Sequence, residues 1–137
     1  DMGSVDKAQD VNEKALNVHQ ASAQAHANLG LIWQNKGDAV KALEYYTDAV
    51  KHDPMLVTVW INMTSVHLML NNDEKALETA HEAVKLEPDF PMAQNNLAVA
   101  FYYNGDYQAA QKHADKASAL GYAVDQRFLD ALSKELS

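Results

Sequence analysis

"AQAHANLGLIWQNKGDAVKALEYYTDAVKHDPML", residues 23–56, holds two helical patterns with a stop between them. In the first half, Leu29, Gly30 and Trp33 share one face at the i, i+1, i+4 spacing of an amphipathic helix. Gly37 stops that pattern, and Asp38 is placed to cap the next one. Ala42, Tyr46, Ala49 and Val50 then form a second apolar stripe. Asp53-Pro54 closes it, because the residue before a proline is pushed out of helical geometry.

The same layout returns every 34 residues. Gly3, Gly37 and Gly105 lie on that grid with Asn71 at the remaining position, and Ala8, Ala42, Ala76 and Ala110 form a second ladder. Ala15, Ala49, Ala83 and Ala117 form a third, and Pro54 and Pro88 share the step. Ladders in one register mark an internal repeat, each unit being a pair of helices. Residues 57–90 carry Trp60, Met63, Thr64 and His67, then Ala76, Ala80, Ala83 and Val84. Residues 91–124 carry Leu97, Ala98 and Phe101, then Ala110, Ala114 and Ala117. The expectation is an all-α chain of one domain: 1–22 the second half of a repeat, 23–56, 57–90 and 91–124 whole repeats, and 125–137 a closing helix.

Composition narrows the function classes. The 137 residues include 19 acidic and 11 basic side chains, a formal charge of −8, which repels phosphate backbones and anionic lipid heads. Neither nucleic acid nor membrane insertion is expected, and the longest mostly apolar stretch, residues 55–63, is far short of the roughly 20 residues of a membrane span. The absence of cysteine excludes disulfides, thiolate metal sites and a cysteine nucleophile, and favours the cytoplasm over the periplasm for a soluble chain.

The period and the pattern L-G…W…G-D…A…Y…A…P resemble the tetratricopeptide repeat family. The resemblance implies a right-handed superhelical α-solenoid of stacked helix-turn-helix repeats, here about three and a half with a C-terminal capping helix. The family pattern is departed from at His26, at Thr64, His67 and Ala80, and at Tyr122, which stands where the third repeat's closing proline is due. Gly30 and Ala98, facing Ala42 and Ala110, are expected to let the two helices of a hairpin approach closely.

The two ends differ. Residues 1–22 carry second-helix positions with no first helix before them, which reads as a piece of a longer array with an open N-terminal edge. At the other end Gly121 stops the last repeat and Asp125 can cap a final helix, with Val124 and Leu129 as a hydrophobic staple. Phe128, Leu129, Leu132 and Leu136 are its expected inner face, a solubilising cap on the stack.

Searching for chemistry yields little. No GxGxxG, P-loop, GxSxG or HExxH string is present, and no two histidines pair at i, i+4. His26 and His67 fall in core slots, and Glu44, Glu78 and Glu82 on outward faces, so no enzyme activity, no cofactor and no metal is expected. "NMT" at 62–64 matches a glycosylation sequon but lies within a repeat helix.

In a stack of hairpins the first helices line the concave surface. The face left over from packing within a repeat holds Gln24, Ala27, Asn28, Leu31, Gln34 and Asn35, then Thr58, Ile61, Asn62, Ser65, Leu68 and Met69. In the third repeat it holds Met92, Asn95, Asn96, Val99, Tyr102 and Tyr103. None of these is charged, although 22% of the chain is. Some members of the family grip acidic C-terminal tails with a clamp of Lys, Asn, Asn, Lys and Arg. The matching positions here are Ala27, Leu31, Asn62, Met92 and Asn96, so one asparagine survives and an acidic tail is not the expected partner.

Asn28, Asn62 and Asn96 repeat at 34, similar to the asparagine ladder in the repeat region of O-linked N-acetylglucosamine transferase. Two readings stay open: the amides read the backbone of a bound peptide, or they bond between neighbouring helices. The candidate groove comprises Asn28, Asn62, Asn96, Asn95, Gln24, Thr58, Ser65, Met69, Met92, Tyr102 and Tyr103. Of the pair Asn95 and Asn96, only Asn96 belongs to the ladder, which leaves Asn95, beside Tyr102 and Tyr103, as the residue particular to this chain's ligand. The leading expectation is an adaptor binding an extended or helical peptide of neutral or apolar character; the alternative is a scaffold that self-associates as a homo-oligomer through its N-terminal edge.

Overall fold

The computed structural model describes residues 2–137, with side chains at residue 18 and from residue 20 onward. Seven helices follow one another: α1 Met2–Asn35, α2 Ala39–His52, α3 Val57–Met69, α4 Asp73–Leu86, α5 Pro91–Tyr103, α6 Tyr107–Ala119 and α7 Gln126–Leu136. Consecutive helices pack as the antiparallel pairs α1–α2, α3–α4 and α5–α6, and α3 and α5 also meet the helix before them. Gly3, Ala8 and Ala15 lie outside the residues whose side chains are described.

The turn inside each hairpin is one motif used three times. Gly37 at φ +86° and Gly105 at φ +80° take the left-handed conformation that ends α1 and α5, and Asn71 at φ 59° does the same after α3. The next amide closes back on the helix: Asp38 N to Trp33 O at 2.9 Å, Asn72 N to His67 O at 2.8 Å, Asp106 N to Phe101 O at 3.0 Å. Asp38 and Asp106 then cap α2 and α6, their Oδ1 atoms accepting from Lys41 N at 3.0 Å and Ala109 N at 3.2 Å. Asn72 supplies no side-chain cap to α4; its amide lies 3.5 Å from His67 Nδ1.

Between residues 18 and 23 no turn interrupts α1, so the helix break expected at residue 22 is absent. The physical reason is in the junctions. Pro54 and Pro88 terminate the later second helices, whereas Gln20 stands at the same step and no Gly or Pro occurs from residue 4 to residue 29.

Alanine forms the seams. Ala42, Ala49, Ala76, Ala80, Ala83, Ala110, Ala114 and Ala117 are all buried. The first hairpin differs from the others at one contact. A β-carbon on Gly30 would lie 2.6 Å from the ring of the fully buried Tyr46, so Gly30 makes room for that ring rather than for Ala42 as the sequence suggested. In the later repeats the slot of Tyr46 holds Ala80 or Ala114, and the slot of Gly30 holds Thr64 or Ala98. Small faces large in the first repeat, medium faces small in the second, and small faces small in the third. Tyr46 keeps its hydroxyl satisfied by donating to Gln34 Oε1 at 2.6 Å.

Thr64, in the sequon, is buried and hydrogen-bonded to Thr79 Oγ1 at 2.8 Å, so that string belongs to the core. His67 is buried, which with nearby Lys75 holds its imidazole below the usual value against the opposing pull of Glu78. His113 shifts the same way through burial, with Lys112, Lys116 and His81 adding to it, and its Nδ1 meets Gln94 Oε1 at 2.7 Å. α7 packs on α6 through the buried Leu132 with Phe128 and Leu129 half-covered, but Leu136 faces solvent, one turn past the contact.

Two outcomes follow from this packing. Gly30→Ala gains helix propensity of about 1 kcal/mol but drives a methyl into Tyr46, an overpacking cost of about 1–3 kcal/mol. Its thermal midpoint should therefore fall, while Ala98→Gly, with no ring to relieve, should lose only about 1 kcal/mol. In pH titrations of stability, the folded imidazoles of His67 and His113 take up their protons at lower pH than the unfolded ones, whose ordinary pKa is 6.5. The unfolded chain then binds more protons, so melting temperature should decline as pH falls below about 6.5 and level off once the folded imidazoles also titrate; His67→Gln should flatten that slope.

Candidate functional site

The concave wall is built from α1, α3 and α5 because these first helices give their opposite faces to the second helices. Gln24, Asn28 and Thr58 are exposed on it, as are Met69, Met92 and Tyr103, while Asn62, Ser65, Asn95, Asn96 and Tyr102 are half-buried. Two residues assigned to this wall from spacing do not reach it. Ala27 and Ile61 are buried, Ile61 packing in one cluster with Ala83 and Ala93 of the flanking helices. Their position in the repeat is the seam between consecutive first helices.

The three ladder asparagines occupy equivalent sites but have different partners. Asn28 Oδ1 accepts from Gln24 Nε2 at 3.0 Å on the surface of α1. The Asn62 amide lies against the Tyr46 phenol and partly offsets the upward push that burial gives its pKa. Asn96 Nδ2 donates to the Ile61 carbonyl at 3.3 Å and so ties α5 to α3. Ser65 Oγ turns back to the same carbonyl at 3.5 Å.

Asn95 stands at the seam position of Ala27 and Ile61, but it is only half-buried where they are buried. A cavity of about 570 Å³ opens there between α5 and α7. Asn95, Val99, Tyr102 and Tyr103 form its α5 side, and Tyr122, Phe128 and Ala131 form the other, with Asp125 and Arg127 at the rim. Tyr102 is its centre: its ring lies 5.4 Å from Tyr103, 5.5 Å from Tyr107 and 5.6 Å from Phe128, centroid to centroid. Asn95 makes no side-chain hydrogen bond among the described residues. At the rim Arg127 Nη2 pairs with Asp125 Oδ2 at 3.1 Å, and that bond holds the Asp125 carboxyl below its usual pKa.

Spacing thus brought Asn95, Tyr102 and Tyr103 together, and missed Tyr122, Phe128 and Arg127. Laying the 34-residue grid over residues 125–137 would have found Phe128, which stands where Trp60 and Gln94 stand in their first helices. The last helix is a wall of the cavity as well as a cap on the stack.

The positions that would carry cations in an acidic-tail clamp hold Ala27, Met92 and Asn96, the first buried, the second exposed and the third half-buried. Among the described residues no group of three His, Asp or Glu is placed to hold a metal ion, and no helix is long and apolar enough to cross a membrane.

A tetratricopeptide repeat model matches residues 23–55 and a second matches residues 67–129. The chain is 31% identical over 116 residues to the photosystem I assembly protein Ycf3 of Rippkaea orientalis, covering 81% of this chain and 67% of that protein. It is 32% identical over 112 residues to Ycf3 of Cyanophora paradoxa, covering 78% and 65%. It therefore spans about two thirds of the length of these relatives. Among solved structures, the first repeat domain of Spaghetti (RPAP3), bound to the HSP90 peptide SRMEEVD, superposes with a TM-score of 0.80 at 19% identity, over 85% of this chain and 94% of that one.

Proposed function

The chain belongs to the tetratricopeptide repeat family, and from that premise we propose that it is a non-catalytic adaptor whose concave groove binds a neutral or apolar peptide segment of a partner protein. Protein handling is the common property of the similar proteins: one is named for assembly of a complex and another holds a peptide. The observation that carries the finer reading is the cavity at Asn95, which joins an aromatic wall to an amide with no hydrogen-bond partner among the described residues.

Magnitudes assign the roles. Three amides making two backbone bonds each, at about 0.5–1.5 kcal/mol, supply roughly 3–9 kcal/mol gross, against about 4–15 kcal/mol of freedom lost on association. The engagement of Asn96 with Ile61 lowers what the ladder can offer. Apolar anchoring must supply the rest. A side chain of Leu or Phe size, buried between Tyr102, Tyr103 and Phe128, contributes about 1.5–3 kcal/mol, and Asn95 is placed to take one backbone group of the same residue. Met69 and Met92, both exposed along the wall, offer adaptable apolar contact on the way.

A random linear peptide library displayed on phage and selected on the chain tests this reading. Enriched peptides should share one large apolar or aromatic position and no acidic C-terminus. Asn95→Ala with Tyr103→Ala should weaken them by about tenfold or more, equivalent to about 1.4 kcal/mol, with helicity unchanged. Peptides that end in clustered carboxylates, or that bind the double variant equally well, would contradict it.

A further inference from the structure

The face of α1 turned away from α2 lacks the cover that its counterparts have. Met63 and Leu97 stand one and two repeats after Leu29 and are 5% and 1% exposed, while Leu29 is 38% exposed. Val66 and Ala100 stand after Ile32 and are fully buried, while Ile32 is 47% exposed. What buries the later pairs is the second helix of the preceding repeat: Ala49 and Val50 share a cluster with Met63 and Val66, and Ala76 and Ala80 share one with Leu97 and Ala100. The uncovered face on α1 continues that interface and asks for a helix of the same pattern.

One such pattern exists in the chain. Ala8, Ala15 and Leu16 stand 34 residues before Ala42, Ala49 and Val50, with Asn12 replacing Tyr46. It lies on the same helix as the face it matches. Residues 15 and 29 of one straight helix are about 21 Å apart at 1.5 Å per residue, so they cannot meet within it. Covering Leu29 from within the chain needs a turn near residue 20, where α1 has none and where Gln20 replaces the proline of later junctions.

We propose that this face is a homodimer interface, in which residues 2–17 of one copy supply the missing second helix for Leu29 and Ile32 of the other. The arrangement closes on itself. Second helices run antiparallel to the first helices they cover, so two α1 helices lie antiparallel, and placing residue 15 against residue 29 also places residue 29 against residue 15. The two-fold axis falls near residues 20–22, and Ala21, Ser22 and Ala25 around it are at least partly exposed and small enough for close approach. Each copy covers the exposed α1 face of the other, and the concave grooves of two copies become one longer scaffold.

The chain has no cysteine, so an engineered pair reports without background. Ala15→Cys with Leu29→Cys, oxidised mildly, should give a chain of doubled mass on non-reducing gels. The parent chain should show a dimer mass by light scattering that Ile32→Lys reduces to monomer. Ile32 is exposed, so the lysine should leave the melting temperature of the monomer unchanged. A disulfide closed within one chain would mean α1 breaks and covers itself; a monomer with no cross-link would mean the face has another occupant. Either result overturns the proposal, as does a dimer that Ile32→Lys leaves intact.

Discussion

Every feature of this molecule depends on one constraint: a single helical hairpin cannot bury the apolar stripes on both of its sides. Each second helix therefore lies between its own first helix and the next one, as Ala49 does between α1 and α3 and Ala83 between α3 and α5. Stability is a sum of nearest-neighbour seams, and the seams work because one side is nearly always alanine. Where the alanine gives way to Tyr46, the opposing residue gives way to Gly30, which leaves room for the ring.

The groove is a consequence of the same arrangement. Once the first helices have given two faces to packing, the third is left pointing inward along the stack. Its chemistry is then free to vary without disturbing the fold. In this chain it holds amides, thioethers and phenols, and the positions for a carboxylate clamp carry no cation. A net charge of −8 elsewhere on the surface adds a field that disfavours acidic segments. The scaffold is thus similar to one that holds SRMEEVD, and the groove proposed for this chain differs from an acidic-tail clamp in carrying no cation at the matching positions.

Much of this was legible in the residues. The 34-residue ladders located the later turns, and Asn71, standing on the glycine grid, takes the left-handed backbone that its place demanded. Three things were not legible. Ile61 reads as groove by spacing, yet it is buried, because spacing within a repeat says nothing of the neighbour that covers it. Gly30 reads as helix-on-helix packing, yet its partner is the ring of Tyr46, sixteen residues on. The cavity at Asn95 requires α7 to stand off from α5, a distance that no residue pattern encodes. All three depend on contacts between units, which is where a periodic sequence carries least information.

The central claim is that recognition in this groove is neutral, carried by apolar burial and amide hydrogen bonds. Its most direct test is the dissociation constant of a selected peptide measured by calorimetry as salt rises from about 0.05 M to about 0.5 M, a range that strongly shortens the reach of exposed charges. The account predicts a change of less than about twofold, with a negative heat-capacity change on binding. A loss of affinity of about tenfold or more would contradict it, and would place charge at the centre of recognition instead.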